Sequence, residues 1–402
     1  MNKSLDRIRT GKFERRLSMM RAGLTAGARL AGRSAQNWMT NRDDRSQVQS
    51  QILREEAEQL VKKMSELKGS VVKIGQMMAL WGEHYLPIEV TDALHTLEDQ
   101  TTPVGWPVME AQLATALPQA RIDELDIDPI PIGSASLGQV HLAVLKSTGE
   151  KICLKIQYPG IQSAIESDLD TVRTMLKLFR LVPNTKEFDL WFDEIRVLLR
   201  REVDYRLEAT TTRRFSARLK DDARFVVPKV IERYSSETVL CLSFEEGVPI
   251  ASTQVKELPL ERRNFIATAC VDICWQEVFV WGEMQTDPNF GNYLVRINHN
   301  NEPDQVVLLD FGAVRSFEPD ILRAGRQMVA GSIQHEPSLI SQALRKIGFY
   351  KSETPETVIA EFCELCYLAI EPFADPKRFP PDDPALLDEQ QRYRWAQSKL
   401  AT

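Results

Sequence analysis

Asp287, Asn292 and Asp310 are the residues whose type and spacing most directly suggest chemistry. Asp287 opens the segment Asp287-Pro288-Asn289-Phe290-Gly291-Asn292. A Tyr-Leu-Val strand and a hairpin around Asn298 to Glu302 separate it from Leu308-Leu309-Asp310-Phe311-Gly312. Phosphoryl transfer needs hard oxygen ligands for Mg2+ and a carboxylate near the attacking oxygen. Asp310 and Asn292 can supply the ligands, and Asp287 the carboxylate. An isolated Asp-Phe-Gly arises often by chance. The ordered pair, split by an apolar strand and a turn, is far more specific.

The catalytic loop of protein kinases has the same spacing between its Asp and a metal-binding Asn. Lys155 stands alone among apolar residues in Ile152-Cys153-Leu154-Lys155-Ile156, which resembles the kinase strand whose Lys reaches the α- and β-phosphates. Such a Lys needs a carboxylate partner. Glu202, Asp204 and Glu208 offer three, read here as lying on one helix. The competing reading is a solvated helix with ion pairs to Arg200, Arg201 and Arg206. Before the strands lies Gly133-Ser134-Ala135-Ser136-Leu137-Gly138, whose small residues let backbone N–H groups approach a phosphate. It is not a Walker A loop, because Gln139 follows Gly138, and Ala135 takes the place of the middle glycine of the kinase loop. A strand at 238–244 leads to Glu245-Glu246-Gly247, where Glu245 and Gly247 are candidates to frame a base; an ordinary strand-ending turn is the alternative.

The elements that must position these residues follow from periodicity. Residues 46–116 read as helices. Gly138 to Val144 and Lys151 to Gln157 read as a hairpin joined at Ser147-Thr148-Gly149, with Pro129 to Ile132 as a lead-in. Helices are expected at about 160–182, 187–219 and 258–282, and strands at 225–231 and 238–244. A small sheet followed by a helical body, with ligand loops between, predicts two lobes around a cleft. Gln139 and Gln157 read as ordinary polar strand positions in preference to direct nucleotide ligands.

Together these motifs resemble the UbiB (AarF-domain) family of atypical protein-kinase-like proteins, nearest its coenzyme Q biosynthesis subgroup. Lys73, Gly75 and Gln76 stand as that family's KxGQ signature, and residues 133–141 match its alanine-rich nucleotide loop. Glu202 and Asp204 stand as its ExD signature, with Glu208 six residues on. Gln285-Thr286-Asp287-Pro288-Asn289 resembles the subgroup's catalytic loop. The resemblance covers about residues 60–350. It implies an α+β, atypical protein-kinase-like two-lobed fold with an N-terminal helical extension covering the cleft. The expected divisions are a basic arm at 1–45, the KxGQ extension at 46–125, an N-lobe at 126–247 and a C-lobe with a helical tail at 248–402. The implied activity is Mg2+-dependent ATP binding and hydrolysis, or small-molecule phosphorylation, in support of ubiquinone biosynthesis at a membrane. Asp287, Lys155 and Glu208 would be catalytic, and Asn292 and Asp310 would hold Mg2+. Gly133, Ser134, Ala135, Ser136, Gly138, Lys155, Glu245 and Gly247 would bind nucleotide. Lys73 and Gln76 would gate the site with Glu202 and Asp204. Gln285 and Asn289 depart from the two histidines of the wider family, which removes both as proton shuttles.

Composition bounds the partners. The 402 residues are 43% hydrophobic and 27% charged, ordinary globular usage. Net charge is −7, yet residues 1–33 carry nine Lys or Arg against Asp6 and Glu14. The acidic remainder argues against nucleic-acid binding. The basic arm reads either as a membrane-surface or targeting segment or as a solvated terminus. No apolar run reaches the roughly 18 residues of a spanning helix. Cys270 with Cys274, and Cys363 with Cys366, read as core residues rather than zinc ligands. The expected ligands and partners are ATP and ADP, a quinone-precursor lipid, an anionic membrane surface and a biosynthetic protein complex. The expected location is cytoplasmic, peripheral at the inner face of the membrane, with the mitochondrial matrix as alternative. A nucleotide-gated pseudokinase that binds lipid intermediates or partner proteins is the competing function. An ordinary protein kinase is disfavoured, because no Ala-Pro-Glu follows the Asp-Phe-Gly.

Overall fold

The computed structural model describes residues 50–374, apart from 52, 60, 63, 65–69, 83–85, 97–102, 136, 179–180, 183–184, 288, 299–301 and 351–352. The basic arm at 1–45, Ser136 of the nucleotide loop and the segment 375–402 lie outside the described residues. The chain divides into two compact units, the first ending at Gly247 and taking back residues 307–313, the second holding the rest.

The first unit starts with helices. α1 (Ser70–Trp81) and α2 (Ile88–His95) precede α3 (Trp106–Ala116). α1 buries Val71, Ile74 and Met78, a helical repeat that turns one face inward. That face joins Ile165, Leu169 and Val172 of α4 (Ile161–Leu178) and Phe188, Phe192 and Ile195 of α5 (Lys186–Glu202) in one apolar core. Ser70 donates to the buried Asp168 carboxylate, tying α1 to α4. Each fully buried side chain of this size contributes roughly 1.5–3 kcal/mol.

Four antiparallel strands follow in the order β1 (Leu125–Ser134), β2 (Gly138–Leu145), β3 (Lys151–Gln157) and β4 (Val239–Ser243). In β3 the period-two alternation buries Ile152, Leu154 and Ile156 against Met109 and Leu113 of α3. Cys153 and Lys155 therefore face the opposite side. Leu154→Ala would open this core at a cost of about 2–5 kcal/mol. The segment read as a lead-in is itself a strand. β1 runs through Pro129 and Pro131, with register shifts beside them, and it lies at the edge of the sheet, where a missing N–H is tolerated. The strand expected at 225–231 shrinks to Phe225–Val226 and a bridge from Val230 to Leu242, because Pro228 interrupts it.

A second correction concerns the helix expected over 187–219. It is two helices, α5 and α6 (Tyr205–Leu219), broken at Val203 and Asp204. The Asp204 carboxylate accepts from the Leu207 N–H at 2.9 Å, which caps α6 and competes with helix continuation. Glu202 therefore ends one helix, Asp204 caps the next, and Glu208 lies in that helix's first turn.

In the second unit, β5 (Val248–Pro249) pairs antiparallel with β7 (Tyr293–Arg296). The helix expected at 258–282 is α7 (Leu260–Trp275) followed by a wider π-helical turn, Gln276–Trp281. Gly282 ends it with φ 69, a conformation glycine adopts without steric cost. β6 (Glu283–Gln285) pairs antiparallel with β9 (Val314–Ser316). Between them in the chain, β8 (Gln305–Leu308) runs through the unit boundary. α8 (Pro319–Ile333), α9 (Pro337–Lys346) and α10 (Glu356–Ala374) complete the unit around Ile340, Leu344, Ile359 and Cys363. The undivided region expected at 248–402 is thus interrupted: residues 307–313 pack with the first unit, where the Phe311 ring lies 4.7 Å from that of Phe215. The cysteines are free thiols, and Cys363 is buried, but Cys274 is exposed rather than a core residue. Among the described residues, no helix is long and apolar enough to cross a membrane.

Candidate functional site

Lys155 is the centre of the charged cluster in the first unit. Its Nζ donates to Glu208 Oε1 at 2.7 Å and Oε2 at 2.9 Å, and to Asp310 Oδ2 at 3.0 Å. Of the three carboxylates offered by the sequence around position 204, Glu208 is the one that meets Lys155. The cap at Asp204 starts α6, and one turn on, Glu208 faces β3. Glu208 is 2% exposed, whereas Lys155 and Asp310 keep 21% and 32% of their side-chain surface. Burial works to lower the Lys155 pKa, but Asp310 and Glu208 hold it well above the usual range. Burial pushes the Glu208 carboxyl up to about 7, with Lys155 pulling it down and Asp310 adding to the rise. Burial would also raise Asp310, yet Lys155, the Gly312 N–H and the more distant Lys73 keep it low. Gly312 donates to Asp310 Oδ1 at 2.8 Å. At neutral pH Lys155 is a cation and Asp310 an anion, both reachable from solvent.

The segment read as a nucleotide loop forms the β1–β2 hairpin. Gly133 and Ser134, expected in a loop, are the last residues of β1, paired with Val140 and Gln139, and Gly138 begins β2. Ala135 closes the turn by donating its N–H to the Gly138 carbonyl at 2.9 Å. Gly138 must be glycine: a Cβ there would lie 2.5 Å from the Ile156 carbonyl oxygen and 3.1 Å from the Tyr205 hydroxyl. At the end of β4, Glu245 Oε1 accepts from Ser243 Oγ at 2.6 Å, and Gly247 is the last residue before the unit boundary.

On α1, Lys73 Nζ lies 2.6 Å from Glu202 Oε1, with side-chain exposures of 16% and 26%. Gln76 is half-buried one turn along the same helix. Asp204, the other ExD carboxylate, has one oxygen engaged in its cap. The structure therefore brings Lys73 to Glu202 and Lys155 to Glu208, at opposite ends of the α5–α6 turn.

In the second unit the Asp287–Asn292 spacing folds into a tight turn. Asn289 Oδ1 accepts from the Gly291 N–H at 2.8 Å, and Asn292 N–H donates to the Asn289 carbonyl at 2.9 Å. Asn292 Nδ2 approaches the Asp287 carbonyl at 3.5 Å. Gln285 Oε1 lies 3.4 Å from the Asp287 N–H. Gln285 and Asn289, the two departures noted in the sequence, thus shape the loop backbone. Pro288 lies outside the described residues.

The domain model for the ABC1 atypical kinase-like domain matches residues 96–344, more than half of the chain. The chain belongs to this family. The mitochondrial atypical kinase COQ8 of Saccharomyces cerevisiae is 33% identical over 276 residues, 68% of this chain and 53% of the relative. The mitochondrial atypical kinase COQ8B of Danio rerio is 32% identical over 262 residues, 65% and 41% of the two chains. The chain spans about half the length of the curated relatives it matches. The Mycobacterium tuberculosis protein Rv3197, solved in complex with erythromycin, superposes with a TM-score of 0.54 at 25% identity, covering 83% of this chain and 82% of that one. The resemblance read from the motifs is borne out, and the fold is a kinase-like mixture of helix and sheet. Lys73, Gly75 and Gln76 lie N-terminal to the matched stretch.

Several residues of this ABC1-family chain were set aside or unread in the sequence, Gln157 and Gln139 as ordinary strand positions. Gln157 is buried, and its Nε2 donates to the Val203 carbonyl at 2.6 Å, fixing the break between α5 and α6. Gln139 is fully buried and bonds both backbone groups of Val104, the carbonyl at 3.2 Å. The Gln139 amide meets backbone through both its oxygen and its nitrogen, the Gln157 amide through Nε2. Glu277, buried in the π-helical turn, accepts from the Gln285 N–H at 3.0 Å, two residues before Asp287. Its carboxyl is pushed up to about 7 by burial, against the Gln285 hydrogen bond. Tyr205, beside the ExD signature, also went unread. A polar residue at a strand position is the only local trace of the first two, and that pattern is shared by ordinary solvent-facing sites.

Proposed function

We propose that this chain is an atypical kinase-like, Mg2+-dependent ATPase that supports ubiquinone biosynthesis at a membrane surface, with a small-molecule kinase activity as its group-transfer form. The observation that carries the reading is Lys155 held between Glu208 and Asp310, with both Lys155 and Asp310 open to solvent. A cation on a strand, fixed by a buried carboxylate and set beside a second, exposed one, suits a phosphate chain with its metal. The residues fit the group: Asp310 offers the hard oxygen donors that Mg2+ prefers, and Asn292 is proposed as its second ligand on sequence spacing. Bound there, Mg2+ would neutralise the charge of the phosphates. Lys155 orients the phosphate chain and Glu208 fixes Lys155. The backbone of Gly133, Ser134, Ala135, Ser136 and Gly138 cradles the phosphates, and Glu245 and Gly247 frame the base. Asp287 accepts the proton of the attacking water or hydroxyl as its oxygen bonds to the γ-phosphorus and ADP departs.

The gating role of Lys73, Gln76, Glu202 and Asp204 is supported by the Lys73–Glu202 contact. The mitochondrial relatives support the mitochondrial matrix as the setting, over the cytoplasmic inner face of a membrane. Quinone-precursor lipids, an anionic membrane and a biosynthetic complex are the proposed partners. One observation favours the second reading, a nucleotide-gated pseudokinase module: Asp310 is already engaged by Lys155, so a metal must displace that contact.

The test is thermal unfolding of the wild type and Asp310→Asn, with and without MgATP and MgADP. A ligand at 100 times its dissociation constant adds about 2.7 kcal/mol to stability. A Mg2+-dependent rise in Tm that Asp310→Asn loses is the expected result. No rise with either nucleotide would overturn the nucleotide site. A rise without ATP turnover, with or without liposomes, would select the pseudokinase reading.

A further inference from the structure

Tyr205 is the first residue of α6, directly after the Asp204 cap, and it is buried. Its ring lies under the Lys155 ammonium, with Nζ 5.3 Å from the ring centroid. Its hydroxyl reaches the nucleotide hairpin, close enough that a Cβ on Gly138 would come within 3.1 Å of the oxygen. Ala209, Leu240 and Leu242 pack around the ring, and Leu240 is the residue paired with Lys155 across β3 and β4. One side chain thus touches the phosphate-binding Lys, the phosphate-binding hairpin and, through the backbone, the turn carrying Glu202 and Asp204.

We propose that Tyr205 is a positioning residue for nucleotide binding: its ring face holds the Lys155 ammonium and its hydroxyl buttresses the hairpin backbone at Gly138. The inference rests on the reading that Lys155 and the hairpin bind a nucleoside polyphosphate. The physical reason lies in what else surrounds Lys155. Glu208 and Asp310 hold the ammonium by charge, and both compete with an incoming phosphate for it. An aromatic face attracts the same cation through its quadrupole without adding an anion. Lys155 can therefore release Asp310 and turn to the phosphates while its position stays fixed. Burial keeps the phenol neutral, well above its ordinary range despite the nearby cation. The hydroxyl sets the height of the hairpin, so Lys155 and the backbone N–H groups are registered by one rigid ring.

The experiment replaces Tyr205 in the full chain by Phe, by pentafluorophenylalanine and by Leu. It measures dissociation constants for MgATP, MgADP and adenosine by calorimetry. Pentafluorophenylalanine keeps the shape of Phe but reverses the ring quadrupole, so folding is not what separates the two. We expect Phe, which keeps the ring but loses the hydroxyl that supports Gly138, to weaken MgATP and MgADP severalfold, and MgATP affinity equal to wild type in Phe would overturn the role of the hydroxyl. The fluorinated ring and Leu should both weaken MgATP and MgADP by about tenfold, with adenosine, which has no phosphates, unchanged. Equal affinities for Phe and the fluorinated ring would overturn the role of the ring. Equal weakening of adenosine and MgATP would show Tyr205 to be a structural residue only. Wild type that binds neither nucleotide would instead overturn the reading of the site itself.

Discussion

In the first unit, Lys155 is locked at 2.7 Å from Glu208 and 3.0 Å from Asp310, with Tyr205 beneath it. In the second, Asp287 and Asn292 sit on a turn joined by contacts of 3.4 and 3.5 Å. Among the described residues the Asp287 carboxylate makes no ion pair. The first site is assembled by folding, and its geometry is maintained by charges taken largely out of water. The second is a short turn, well bonded at Asn289 but held only by long contacts at Asp287, and such contacts tighten when substrate arrives. The contrast implies that residues of the first site report on stability and binding together. In the second, Asp287 should report on turnover alone.

Four substitutions would break or sharpen that contrast. Asp287→Asn should give the largest effect, a loss of ATP turnover of about 10³-fold with Tm and nucleotide affinity unchanged. A shifted Tm would show that the loop is part of the structural frame. Glu208→Gln should cost about 3 kcal/mol of stability, because it leaves Lys155 under-compensated. Chemical denaturation measures it, and an unchanged midpoint would mean that solvent carries the Lys155 charge.

Glu277→Gln tests the support of the loop through pH. The folded Glu277 carboxyl titrates at about 7, above its ordinary 4.5. Between these values the folded state therefore binds more protons than the unfolded chain. Stability should fall as pH rises across that window, and Gln should remove roughly 3 kcal/mol of the fall. Parallel stability curves for wild type and variant would refute the assignment. The smallest effect is expected from Lys73→Ala, a severalfold change in ATP or ADP affinity with little loss of stability. The Lys73–Glu202 pair is partly exposed, and such pairs contribute about 1 kcal/mol or less. Identical affinities in the variant would remove Lys73 from any gating role.

Much of the site was legible because its signals are local. The Asp287 to Asn292 spacing, the Asp-Phe-Gly at 310–312 and the alternation that isolates Lys155 on one face of β3 need only a few neighbouring residues. The edge strand with Pro129 and Pro131 was not legible, since those prolines are allowed only by its place at the sheet margin. The break between α5 and α6 was also missed. Residues 187–219 keep a helical pattern through it, and what stops the helix is one carboxylate turning back to the Leu207 N–H.

The sequence by itself determined which residue types are present for phosphoryl chemistry and which strand face or loop carries them, because period and spacing follow from backbone geometry. Tertiary structure decided which charges meet. Glu202, Asp204 and Glu208 are alike as a sequence, yet Glu202 goes to Lys73, Asp204 caps a helix, and Glu208 reaches Lys155. The partners of Lys155 lie 53 and 155 residues away in the chain. Their meeting depends on the packing of α6 against the sheet through Tyr205, Ala209, Leu240 and Leu242. Burial separates the three: Glu208 is held out of water beside a compensating cation, while Glu202 and Asp204, nearer solvent, take a partly exposed ion pair and a helix cap.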